Sequence, residues 1–338
     1  MKISFLVTYY NQRNYVKQSL ESILAIEKPC DWEILVGDDG STDGTIDVIN
    51  EFVKSFPNNI FLYVTNKDED NNFSSVKKAS LNRLNILGKS KGDFFCILDG
   101  DDYYIDKKFL SDSIAIFSSK KDVSIVAFGY QIVSDGKVKK TVTLGSKKYL
   151  EIDAHAYLRD YYVHAGACVY KKECSNERMF FLKKNGFFDD NNILINNLNY
   201  GTMVALNRPI YAYRQVNNSV YSRMDFVEKS VLNVQGLGID LDLINKSFEK
   251  DLLIRNSYSL LVLFFFKNII TDYLDSEKIN KYLTESKKDS LCYQLLTYRT
   301  QSKENKRKII KIFFWLIIKQ PHTFCRIMIS YFFRGSSK

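Results

Sequence analysis

The chain has 338 residues and a net charge of +9, which at roughly 100–200 residues per domain gives one large domain or two modest ones. An apolar fraction of 45% is ordinary for a globular protein and supplies a sizeable core. The six cysteines form no C-x-x-C pair and have no histidine at ligand spacing, which argues against a zinc site or a disulfide framework.

The first residues, Met-Lys-Ile-Ser-Phe-Leu-Val-Thr-Tyr-Tyr-Asn, hold too short an apolar stretch for a signal peptide. No run reaches the ~18 apolar residues of a membrane-spanning helix. Leu260–Phe266 and Ile309–Ile318 come nearest, the second interrupted by Lys311. A reducing cytoplasm is the compartment that fits.

In chain order, Ile3–Val7 reads as a buried strand, and Tyr15–Ala25 as a helix with Tyr15, Val16, Leu20, Ile23 and Leu24 on one face. Glu33–Val36 is a second strand, Thr45–Phe56 a helix, Ile60–Val64 a third strand and Ala79–Gly88 a helix. Phe94–Leu98 is a fourth strand, and it runs into Asp99-Gly100-Asp101-Asp102. Val123–Phe128, Gln131–Val133 and Val138–Thr143 follow as strands, with a hairpin turn at Gly136. After about residue 225 glycine nearly vanishes and helical patterns take over.

Alternating strands and helices predict an α/β fold with a mainly parallel sheet, followed by an α-helical C-terminal region. In such sheets ligands sit beyond the carboxyl ends of the strands. Three polar clusters fall there: Thr8–Asn11, Asp38–Asp43 and Asp99–Asp102. Carboxylates are hard oxygen ligands suited to Mg²⁺ or Mn²⁺, and three acids in four positions repel one another without a cation. An acidic turn capping the next helix is the alternative for that cluster. Asp43 or Thr42 can cap the following helix, while Asp39 and Thr8 can read a nucleobase.

Val7–Gln12 (Val-Thr-Tyr-Tyr-Asn-Gln), Asp38–Thr45 (Asp-Asp-Gly-Ser-Thr-Asp-Gly-Thr) and Leu98–Asp102 (Leu-Asp-Gly-Asp-Asp) together resemble family 2 glycosyltransferases of the GT-A nucleotide-diphospho-sugar transferase fold. The resemblance covers roughly residues 1–220. It implies an inverting, metal-dependent transfer of a sugar from a nucleotide-diphosphate donor, such as a UDP-sugar, to a hydroxyl of a glycan or lipid-linked acceptor. The family's habit is cell-surface polysaccharide synthesis. By position it assigns donor binding to Thr8, Tyr10, Asn11, Asp39, Asp99 and Asp102. Asp101 and Asp99 become the ligands of Mn²⁺ or Mg²⁺.

Further along, His164-Ala165-Gly166-Ala167-Cys168 resembles the small-residue segment under the acceptor, which assigns His164 and Gly166 to acceptor binding. Phe187-Phe188-Asp189-Asp190-Asn191 resembles the family's Glu-Asp signature, with Asp189 on the acceptor and Asp190 as general base. The alternative for Asp190 is a cap on the helix at Asn192–Leu198. Tyr211–Ser219 resembles the closing Tyr-Arg segment. Arg214 there faces the diphosphate or sits in a structural ion pair, and Val216 stands where many members carry His.

The domains expected are 1–222, catalytic, and 223–338, helical. Within the second, Lys306, Arg307, Lys308, Lys311 and Lys319 flank an apolar stretch with Trp315. This is the pattern of a helix lying on the inner face of the cell membrane or, equally, of one packed on the catalytic domain. A nucleotidyltransferase or a non-catalytic nucleotide-sugar-binding protein is the competing class. The first resembles a Gly-rich loop after strand one, which Thr8–Asn14 lacks. A nucleic-acid partner is not expected, because the positive charge lies mainly in the helical tail.

Overall fold

The computed structural model describes residues 1–65, 75–145, 147–172, 190–216, 224–266 and 290–325, with 280, 283, 288 and 327. The chain divides into two compact units, Met1–Asn217 and Asn218–Lys338.

The first unit is built on one sheet. Strands β1 (Lys2–Tyr9), β2 (Asp31–Asp38), β3 (Ile60–Val64) and β4 (Phe94–Asp99) are parallel, in the order β3-β2-β1-β4. Parallel neighbours need crossover connections, and helices α1 (Arg13–Leu24), α2 (Thr45–Ser55) and α3 (Ser75–Lys89) lie in them. Of the face that its spacing predicts, helix α1 buries Val16, Leu20 and Ile23, while Tyr15 and Leu24 stay partly exposed.

Beyond β4 the sheet becomes mixed. Helix α4 (Phe109–Ser119) leads into β6 (Val123–Ser134), and β9 (Cys168–Lys171) runs antiparallel between β4 and β6. Strand β10 (Thr202–Arg214) lies parallel to β6 on its other side. The short strands β5 (Tyr103–Tyr104) and β8 (Tyr149–Ile152) pair antiparallel with β10. Two short helices complete the unit, α5 (Ala154–Asp160) and α6 (Asp190–Leu198).

Two expected strands, Val123–Phe128 and Gln131–Val133, are the single strand β6. Gly129 does not break it. A side chain there would put its first carbon 2.6 Å from the Val142 carbonyl oxygen, so the glycine admits the neighbouring strand β7 (Lys137–Val142). Between β6 and β7, Asp135 (φ 53°) and Gly136 (φ 70°) make the two-residue turn that the sequence predicts. The core runs through the sheet's centre, with Phe5, Val7, Val36, Cys96, Leu98, Val126, Val204 and Tyr211 buried.

The second unit is helical. Asp225 and Glu228 form a reciprocal capping box at the start of α7 (Phe226–Leu243). Helices α8 (Glu249–Arg255), α9 (Ser257–Phe266), α10 (Leu291–Leu296) and α11 (Lys303–Lys319) follow. Helix α11 buries Ile309, Phe313 and Leu316, and Phe313 stacks on Phe264 of α9 at 4.0 Å between centroids. Phe314 and Ile318 stay 65% and 74% exposed. Among the described residues no helix is long and apolar enough to cross a membrane.

Candidate active site

The parallel register brings the three polar clusters to one edge. Thr8 lies beside Gly37 on one side and Asp99 on the other, and Tyr9 beside Asp38. The loops after β1 and β2 are then joined by hydrogen bonds. Asn11, in a left-handed conformation (φ 51°), donates its N–H to Ser41 Oγ at 2.8 Å and accepts from the Thr42 N–H at 2.8 Å. The Gln12 N–H donates to Thr45 Oγ1, and the Arg13 N–H to Asp43. Buried Asp38 accepts from the Ser41 N–H and hydroxyl at 2.7 and 2.6 Å.

The Asn11 side-chain oxygen is engaged by Thr42, so Asn11, expected to bind donor, also shapes the loop. Gly44 occupies the cap position of α2, while Asp43 accepts from the Thr45 N–H at 3.0 Å. Asp39 is fixed through its N–H, which donates to the Tyr9 carbonyl at 3.0 Å. Tyr10 is 53% exposed beside this loop pair, and Thr8 accepts the Gly100 N–H through its carbonyl.

Gly100 has no room for a side chain. Its first carbon would lie 2.1 Å from the Tyr9 ring, which is itself buried and hydrogen-bonded to Ser19. The chain therefore turns sharply, and the three carboxylates diverge. Asp99 is partly exposed and takes the Arg83 guanidinium at 2.7 Å. Asp101 has its carboxyl pushed up to about 6 by burial and then by the Asp99 charge, against the opposing charge of Arg214 and a hydrogen bond from Gln12.

Asp102 points inward. It is 2% exposed and accepts from the Tyr211 hydroxyl at 2.5 Å and the Arg214 N–H at 2.6 Å. Burial first, then Asp101 and Asp99, hold its carboxyl well above the usual range. Both oxygens of Asp102, which was expected to bind donor or support the metal, tie β10 to the end of β4. Accordingly, among the described residues no three His, Cys, Asp or Glu side chains converge on a metal position. Asp101 and Asp99 remain, and one or two carboxylates are what Mg²⁺ or Mn²⁺ sites use when substrate phosphates complete the shell.

Arg83 is the residue that sequence reasoning missed. Its side chain is only 11% exposed, and besides Asp99 it reaches Asp190 at 3.6 Å. No signal in the sequence marks it; in the structure α3 also buries the polar Ser80 and Asn82. The Asn82 side-chain oxygen is buried without a hydrogen-bond partner among the described residues and lies over Gly37 at the end of β2.

On the other side of Arg83, Asp190 is the first residue of α6 and partly exposed. It lies in the helix's first turn, where unpaired N–H groups favour a carboxylate. His164 is 7% exposed and packed among Tyr130, Tyr211 and Tyr213 at 4.9–5.1 Å between centroids. Its Nδ1 accepts the Gly166 N–H at 3.2 Å, which leaves the proton of the neutral ring on Nε2. Burial depresses its basicity.

Gly166 is covered by the Tyr211 ring, which a side chain at 166 would meet at 2.4 Å. Gly166, expected to bind acceptor, gives this ring its room. The Arg214 guanidinium lies over Tyr15 at 4.5 Å and Tyr103 at 5.2 Å and donates to Gln18 at 2.5 Å. Aromatic faces and an amide hold the guanidinium, for which a diphosphate contact or an ion pair was expected. Asp189 lies outside the described residues.

The model of glycosyl transferase family 2 matches residues 4–178. The chain belongs to glycosyl transferase family 2. Among its relatives is the minor teichoic acid biosynthesis protein GgaA of Bacillus subtilis, 25% identical over 255 residues, 72% of this chain and 55% of that protein. The poly(ribitol-phosphate) beta-glucosyltransferase of Bacillus spizizenii is 28% identical over 104 residues, 30% of this chain and 15% of that protein. The chain spans about half the length of the curated relatives it matches over long stretches. In fold it is similar to S. aureus TarS in its crystal structure with UDP-GlcNAc, with a TM-score of 0.59, 17% identity, and coverage of 95% of this chain and 92% of that chain. The family 2 chain thus has the GT-A architecture that its motifs imply.

Proposed function

We propose that this family 2 glycosyltransferase moves a sugar from a nucleotide diphosphate, a UDP-sugar, to a hydroxyl of a cell-surface glycan or its lipid-linked precursor, with inversion. The observation that carries the reading is the arrangement about Arg83. The carboxylate cluster of Asp99 and Asp101 lies to one side and Asp190 to the other, all at the carboxyl edge of the sheet. The chemistry belongs to residues 1–222.

Thr8, Tyr10 and Asp39 hold the base, on the paired loops. Asp101 and Asp99 hold Mn²⁺ or Mg²⁺, which when bound stabilises the charge that grows on the diphosphate. Asp190 accepts the proton of the acceptor hydroxyl as its oxygen bonds to the anomeric carbon and the bond to the diphosphate breaks. Attack opposite the leaving group inverts the carbon. Arg83 orients Asp190 through their ion pair.

Two variants test the division of labour. Asp190→Asn is expected to bind UDP with Mn²⁺ normally and to lose roughly 10³-fold in transfer, within the usual span of general-base effects. In Asp101→Ala, calorimetry should show the Mn²⁺-dependent part of UDP affinity gone. Normal turnover by the first variant removes Asp190 from the mechanism, and unchanged affinity in the second removes the metal.

Helix α11 supports a peripheral position on the inner leaflet. It packs by Ile309, Phe313 and Leu316 and still presents Phe314 and Ile318 beside Arg307, Lys311 and Lys319, the mixture of apolar and basic groups that binds an anionic surface. Phe314→Asp with Ile318→Asp should abolish co-sedimentation with phosphatidylglycerol vesicles, and retained co-sedimentation sinks the assignment.

A further inference from the structure

The β6–β7 hairpin carries charge for which the donor site has no use. Lys137, Lys139 and Lys140 on β7 are all exposed, and none has an ion-pair partner among the described residues. Lys147 and Lys148 extend the run, and Asp135 is the one acid between residues 134 and 148.

Topology sets this row beside the catalytic edge. Strand β9 is antiparallel to both β4 and β6, so β6 runs in the direction of β4 and ends at the same edge. Val133 of β6 lies opposite Arg214, whose N–H holds Asp102, and Val138 of β7 lies opposite Val133. Two strand spacings of roughly 4.8 Å each therefore separate the Arg214 backbone from β7. Tyr130, packed on His164, pairs with Val142 at the far end of the same hairpin.

The electrostatics favour one kind of occupant. Asp99, Asp101 and Asp190 share the site with the cations of Arg83 and Arg214, so the site itself offers an anionic acceptor no net attraction. A neutral glycan gains little from the lysines, whereas a polyanion gains that attraction at the side where it enters. Lysine on an edge strand also keeps edges from pairing, so a second copy of β7 is repelled. At roughly 3.3 Å per residue the three lysines span a row matched to repeated charges rather than to a single phosphate.

We infer that the β7 lysine row guides a polyanionic glycan acceptor, a chain bearing phosphodiester or uronate groups at its repeats, past Tyr130 and His164 to Asp190. The inference rests on the glycosyltransferase reading of the Asp101–Asp190 site.

The test uses the full chain and Lys137→Gln/Lys139→Gln/Lys140→Gln, which alters exposed side chains of an edge strand. Binding of poly(ribitol phosphate), polygalacturonate, dextran and single-stranded DNA is measured at rising salt, with UDP–Mn²⁺ affinity on the same preparations. The expected result is retention of one or both anionic glycans over dextran, weakened roughly tenfold by the variant at low salt and less as salt rises. The poly(ribitol phosphate) and polygalacturonate arms separate the two sources of charge. UDP–Mn²⁺ affinity should be equal in both proteins. Equal glycan binding by variant and parent, no preference over dextran, or a preference for DNA overturns the inference. If instead the parent fails to bind UDP–Mn²⁺, the glycosyltransferase reading falls, and the glycan rail falls with it even where the lysines retain a polyanion.

Discussion

The two sides of the catalytic unit are built by different means. On the donor side, the loops after β1 and β2 are neighbours because their strands are neighbours, and short hydrogen bonds from Asn11, Gln12 and Arg13 to Ser41, Asp43 and Thr45 lock them. On the acceptor side, nothing local suffices. Asp102 meets Tyr211 and Arg214, His164 meets three tyrosines from two strands, and Asp190 meets Arg83. The donor half that we propose is therefore a property of strand ends, and the proposed acceptor half a property of tertiary packing. Altering a packing residue should damage the acceptor half and leave the donor loops in place.

The sharpest way to break this contrast is Asp102→Ala. It leaves the Tyr211 hydroxyl and the Arg214 N–H buried without their acceptor, at about 1–3 kcal/mol each. A loss near 3 kcal/mol corresponds to a fall in melting temperature of about 10 °C for a unit of this size. Asp102→Asn keeps one oxygen for the Arg214 N–H and should recover most of that loss. If Asp102→Ala instead melts like the parent and only donor affinity falls, Asp102 belongs to the donor half after all.

The same contrast governs what the sequence reveals. Strand β1, strand β4 and the Asp99–Asp102 cluster are legible because periodicity finds the strand and the strand-end rule finds the ligand edge. Neither tells where a carboxylate points. The inward turn of Asp102 depends on Tyr211, more than a hundred positions away, and the engagement of Asn11 depends on the loop after the next strand. The two strands expected on either side of Gly129 are one, because a glycine in a strand pattern can mark close approach as well as a turn. Arg83 sat on a helix between lysines, where a charged residue is ordinarily a solvated one. Its burial becomes visible only when Asp99 and Asp190 are placed around it.

A smaller effect is expected at Gly166. Alanine there sets a carbon 2.4 Å from the Tyr211 ring, and that ring is held by its hydroxyl to Asp102. Overpacking of this kind costs about 1–3 kcal/mol, and we expect a value near 2 in denaturant unfolding. Combining Gly166→Ala with Tyr211→Phe, which frees the ring from Asp102, should give less than the sum of the two changes, since both act on one ring. Strict additivity would mean that Gly166 faces an open acceptor surface and that its packing against Tyr211 is incidental.

Arg83 joins the halves, so its removal shows how far they are independent. Arg83→Met keeps much of the buried stem and deletes the charge. Asp99 and Asp190 are both partly exposed, so water replaces part of what the guanidinium gives each of them, and the effect is smaller than at Asp102. We expect UDP–Mn²⁺ affinity to change by less than tenfold, about 1.4 kcal/mol, because Mn²⁺ can neutralise Asp99 in place of Arg83. Transfer should fall further than affinity, because Asp190 loses the cation that orients it and has no such substitute. Arg83→Lys, a point charge without the fork, should restore affinity more fully than transfer, since one ammonium cannot hold both carboxylates in the guanidinium's geometry. A loss confined to affinity, with kcat intact, would assign Arg83 to the donor alone and cut the link between the two halves.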